Sequence, residues 1–171
     1  MIWGMTTSTF TLVHVLISLV GIATGFVVMF GLLAGKRLDG WTAIFLAFTV
    51  ATSVTGFGFP FKELLPSHKV GILSLIVLLI AILARYAFHL AGTWRRVYVI
   101  CAAIALYFNV FVLVVQAFEK VPALHALAPT QKESPFLVAQ LSVLILFIVL
   151  TVFAAKRFRS QPSRAEVARA A

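Results

Sequence analysis

The residues whose chemistry reaches beyond packing are four histidines and a few polar side chains set in long apolar runs. Imidazole can ligate haem or a metal, or carry a proton near neutral pH. A bis-histidine haem needs two imidazoles at matching depth on facing helices. His14 and His68 fall at corresponding ends of their runs and are the pair that fits; His89 sits at the opposite end of the third run. His14, His68, His125 and Glu119 form a nitrogen and oxygen donor set suited to zinc or copper. No His-x-x-x-His or Cys-x-x-Cys spacing supports either site. His68 and His125 lie in connecting segments, where a solvated histidine is ordinary. His14 stands apart, because an ionisable group inside an apolar span is a functional hypothesis by default.

Helical spacing sorts the remaining polar residues into stripes. His14, Ser18, Gly21 and Gly25 fall at steps of four, three and four, and Gly21 with Gly25 lets a neighbouring backbone approach closely. Thr42, Thr49, Ser53 and Gly56 share a second stripe, with Thr52 and Thr55 beside it. Asn109, Gln116 and Glu119 line up in a third, and Gln140, Phe147 and Thr151 in a fourth. Most of these polar groups belong to one half of the expected spans. His14, Thr52, Asn109, Gln116 and Gln140 therefore define an expected ligand pocket open to the outer side. The competing reading is interhelical hydrogen bonding, worth about 0.6 kcal/mol per bond, with the Thr and Ser side chains bonded back to their own helices.

The elements that must position these groups are helices in lipid. Of 171 residues, 62% are apolar and 11% charged, against roughly 45–50% and about 25% in soluble domains. That excess excludes a soluble enzyme domain, a disordered regulator and a nucleic-acid reader as the default. Five continuous apolar runs fit the roughly 20 residues a spanning helix needs. They cover about 9–34, 41–59, 70–91, 97–118 and 136–155, the second stopped by Pro60. Hydrocarbon demands internal backbone hydrogen bonding, so the expected fold is an all-α, five-span bundle over 1–159 with a short basic tail at 160–171.

Charge sets the expected direction. Lys36, Arg37, Arg85, Arg95, Arg96, Lys156, Arg157, Arg159, Arg164 and Arg169 fall on one side; Lys62, Lys69, Lys120 and Lys132 fall on the other. By the positive-inside rule the N-terminus is outside and the C-terminus cytoplasmic. The net charge of +9 thus points to a membrane rather than to nucleic acid. Trp41, Tyr86, Trp94 and Tyr98 would form the inner aromatic belt, with Trp3 at the outer interface. Arg85 is expected to snorkel to the inner surface, although an anion site with His89, four residues on, is a weaker option. The first residues, MIWGMTTS, carry no Lys or Arg, unlike a cleavable leader, so the first span is expected to be retained. The single cysteine, Cys101, reads as an inert core thiol. In the segment between the last two spans, PALHAL can form one short amphipathic turn on the membrane surface, either as a connector or as a lid carrying His125.

The stretches TSVTGFGFPF (52–61), LPSHKVGILSL (65–75), NVFVLVVQAF (109–118) and KVPALHALAPTQ (120–131) resemble small polytopic inner-membrane proteins of bacteria, a group of uncharacterised sequences. The resemblance implies a bacterial inner-membrane location and brings no activity, cofactor or catalytic residue. Three functions stay open: a bundle whose outer pocket holds a small ligand, quinone, metal or haem; an accessory or assembly subunit of a larger membrane complex, or a homo-oligomer; and a small oligomeric transporter or channel. Catalysis has least support, since no carboxylate pair, Ser-His-Asp set or phosphate loop is visible.

Overall fold

The computed structural model describes residues 2–59 and 66–158. Pro60, Lys62, the basic tail and its arginines lie outside the described residues, so the expectations resting on them have no structural counterpart here. The helices are α1 (Thr7–Leu33), α2 (Asp39–Gly56), α3 (Pro66–Ile82), α4 (Trp94–Lys120), α5 (Pro122–Leu127) and α6 (Ser134–Arg157). A π-helical turn, Leu83–Ala87, extends α3. Among the described residues there is no strand; an isolated bridge pairs Ile2 with Met5.

Four of these segments are long and apolar enough to cross a membrane: Thr7–Leu33, His68–Ala87, Trp94–Lys120 and Ser134–Arg157. They mark a multi-pass membrane protein. α2 is 18 residues long but carries Asp39, four threonines and a serine, which dilute its apolar character. The third apolar run stops sooner than expected: the chain leaves the helix after Ala87, and His89, Leu90 and Gly92 take positive φ. The short helix α5 forms where the PALHAL turn was expected, with a proline in its first turn, where a missing N–H is harmless.

α1 and α2 run antiparallel along their full lengths. A Cβ at Gly21 would stand 3.4 Å from Thr49 Oγ1, and one at Gly25 2.9 Å from Phe45 and 2.5 Å from Leu106. These glycines are what lets three helices meet. The core they enclose holds Met29, Phe45, Leu78, Tyr98 and Leu106, all fully buried. α3 packs on α2 and α4, while α6 touches α4 and α1. The helices alternate in direction, so Leu33, Asp39, Ala87, Trp94 and Arg157 gather at one end of the bundle and Thr7, Gly56, Pro66, Lys120 and Ser134 at the other.

Candidate functional site

At the second of these ends, α1 presents His14 to α2. His14 Nδ1 lies 2.8 Å from Thr55 Oγ1. The Thr55 hydroxyl donates its single proton to Ala51 O at 2.7 Å, with Thr52 O at 3.2 Å as the alternative acceptor. With its proton spent on Ala51 O, the Thr55 hydroxyl would accept from His14, and the proton of a neutral ring would then sit on Nδ1. In the neutral ring Nε2 then carries a lone pair. The ring meets the edge of Phe59 at 5.3 Å, and Phe59 in turn packs against Phe10. Gly58 is required there, since a Cβ would come within 2.7 Å of the Phe10 ring.

The other expected pocket residues are seated against different partners. Thr52 donates back to Phe48 O at 2.9 Å. Asn109 is buried and donates from Nδ2 to Thr49 Oγ1 at 3.3 Å, joining α4 to α2 at mid-bundle. Gln140 donates to Phe111 O at 3.2 Å and ties α6 to α4; its buried Oε1 has no partner among the described residues. Gln116 is exposed. Ser53 reaches Ser74 at 3.2 Å, linking α2 to α3. Of the expected metal or haem donors, His68 is buried with its ring against Phe57 at 5.6 Å. His125 is exposed on α5, and Glu119 is exposed and paired with Lys120 at 2.8 Å. Among the described residues no three His, Cys, Asp or Glu side chains stand together as a metal-binding set. His14 and His68 each contact the last turns of α2, through Thr55 and Phe57 respectively.

The opposite end holds a cluster that the sequence reading missed. Arg85 does not snorkel: it is only 4% exposed and is ion-paired with Asp39 at the start of α2. Its guanidinium lies 5.2 Å from the ring of Tyr98 and 5.7 Å from that of Tyr86. Tyr98 leaves the expected aromatic belt as well. It is fully buried, and its hydroxyl donates to Thr42 at 3.4 Å. The reason is shared: a charge held on an aromatic face with a carboxylate beside it needs no route to water. Arg37 adds a second, longer contact to Asp39 at 3.5 Å. His89 is exposed and lies beyond the helical turn that carries Arg85. The sequence did hold a signal, because Ser74, Leu78, Ala81 and Arg85 follow steps of four, three and four, the inward stripe of α3. Trp41, Tyr86 and Trp94 are exposed at this end, and Trp94 stacks on Phe88 at 3.9 Å.

The chain matches no protein-family model, no curated protein and no solved structure.

Proposed function

We propose that the chain is a five-span protein of a bacterial inner membrane, N-terminus outside and C-terminus cytoplasmic. Antiparallel pairing along α1 supports a crossing by α2, since a helix flush with a spanning helix shares its depth. The charge difference between the bundle ends supports the direction. Lys36, Arg37, Arg85, Arg95, Arg96, Lys156 and Arg157 belong to one end, whereas Lys69, Lys120 and Lys132 belong to the other. Single cysteines at positions 36 and 132, in a Cys101→Ser background, should label from opposite faces of sealed vesicles. Labelling of both from one face removes the topology.

The role proposed within that frame is ligand binding at the outer end, centred on His14. The observation that carries it is the contact between His14 Nδ1 and the Thr55 hydroxyl, which orients the ring; with that hydroxyl's proton on Ala51 O, Nε2 is the nitrogen left to a ligand. Orientation of this kind, one ring nitrogen donating to a fixed acceptor, typifies histidines that bind through the other nitrogen. The ligand is either a metal centre, haem iron included, or an apolar molecule with a hydroxyl donor, as in a quinol. Absorption spectra of the purified protein, oxidised and reduced, with elemental analysis, separate these cases. His14→Ala should abolish binding, and Thr55→Val should weaken it by about 10–100-fold. A colourless, metal-free protein that binds no quinol, before and after His14→Ala, sinks this role.

A second reading, an accessory subunit of a larger membrane complex, is favoured by a different observation. Ser53 and Asn109 each spend a polar group on a neighbouring helix, as does the Gln140 Nε2, so that these groups join helices rather than meet a solute. A monodisperse monomer purified in mild detergent without a partner counts against it.

A further inference from the structure

Between α4 and α6 the surface dips into a lateral groove of about 350 Å³, lined by side chains such as Ile100, Ala103, Tyr107, Phe147 and Ile148. Its lining is almost wholly apolar and opens sideways, toward where hydrocarbon would lie. The groove ends at Ala155 on α6, and Lys156 and Arg157 follow directly. Those two cations, with Leu33, Ala34 and Gly35, line a second hollow of about 390 Å³. On the opposite wall, Arg96 stands four residues before Ile100 and so continues the groove's stripe on α4. Arg96, Lys156 and Arg157 are exposed. Among the described residues none of them meets a carboxylate: Asp39, the acid of that end, is held by Arg85 and Arg37.

We propose that this groove seats one acyl chain of an anionic phospholipid, with its phosphate held at the groove's mouth by Arg96 and Lys156. An apolar trough whose two walls both end in unpaired cations is complementary to a molecule with an apolar tail and an anionic head. A zwitterionic lipid fills the same trough but brings a cation of its own to that mouth. Juxtamembrane cations attract anionic lipids by an amount equivalent to about fivefold in affinity per residue. The inference rests on membrane residence and is independent of what His14 binds.

The test is native mass spectrometry of the full chain, delipidated and then offered equal amounts of phosphatidylglycerol and phosphatidylcholine of identical acyl composition. One phosphatidylglycerol should be retained in preference. Arg96→Gln with Lys156→Gln should reduce that preference by roughly twenty-fivefold. Ile148→Trp, placed at an exposed position, should fill the groove and lower retention of both lipids. Lys69→Gln with Lys132→Gln, at the other end, should change nothing. Circular dichroism with unchanged melting establishes that each variant is folded. Equal retention of the two lipids by the wild-type chain overturns the proposal. So does a preference that survives Arg96→Gln with Lys156→Gln, or retention unaffected by Ile148→Trp. Failure of the chain to reconstitute into vesicles at all is the separate failure of the membrane reading.

Discussion

α2 and α6 are opposites in composition and in position. α6 is a run of Leu, Ile, Val and Phe, yet only 17% of its most apolar window is buried against the rest of the protein. α2 is diluted by Asp39 and its hydroxyls, yet those hydroxyls tie it to three neighbours, through Thr55 to α1, through Ser53 to α3 and through Thr42 and Thr49 to α4. In water the order would be reversed. In lipid an apolar helix gains nothing by leaving the hydrocarbon, whereas a polar one must find partners. Here the polar groups, not the most apolar helix, make the ties between helices.

The comparison makes graded demands on stability in detergent. The largest effect belongs to Asp39→Ala, which leaves the Arg85 charge buried beside Tyr98. A loss of about 3 kcal/mol is expected, the low end for a broken buried pair because Asp39 itself meets water. Gly25→Val comes next, since its side chain must displace Leu106 and Phe45; about 2 kcal/mol is the expected cost of overpacking. Thr49→Val, which removes the partner of Asn109, should cost about 0.6 kcal/mol. Ile145→Ala on the open face of α6 should stay within about 0.5 kcal/mol. Thermal melts of the four variants give the order, and an Ile145→Ala loss above that of Asp39→Ala breaks the contrast between α6 and α2.

The smallest effect is a local one at the start of α6. Desolvation raises the Glu133 carboxyl, but hydrogen bonds from the Thr130 hydroxyl and from the Thr130 and Lys132 amides outweigh it and hold the group below its ordinary value. A lowered folded pKa means support that is complete above the unfolded value. It is lost as pH falls through the folded one. Acidification through the carboxylate range should therefore loosen residues 130–133 while the bundle stays intact. The amide shifts of Thr130 and Lys132 should report it, and shifts constant through that range contradict it.

Much of this fold was legible because lipid imposes long, uninterrupted runs. The first, fourth and fifth apolar runs end within a few residues of α1, α4 and α6. The stripe through His14, Gly21 and Gly25 does face inward, and so does the one through Thr42, Thr49 and Ser53. Arg85 was misplaced because a lone arginine near a helix end ordinarily reaches for water. Its partner Asp39 is 46 residues away, and a pairing at that distance leaves no periodic trace. Gln116 shares a line with Asn109 but is exposed, since α4 is long enough for its later turns to leave the packed core. The tautomer of His14 was illegible for another reason: it depends on where the Thr55 hydroxyl sends its proton, which spacing does not record.

The connector between α1 and α2 is only residues 34–38, short enough to tie the two helices together from the moment of their synthesis. A helix bearing Asp39 and five hydroxyls is a poor substrate for insertion by itself, and α1 packs along its middle at Gly21 and Gly25 and supplies a hydrogen-bond partner at its far end. On the five-span proposal the two would enter the bilayer as one hairpin during synthesis, α1 sheltering α2 until α3 and α4 arrive to take over its remaining contacts.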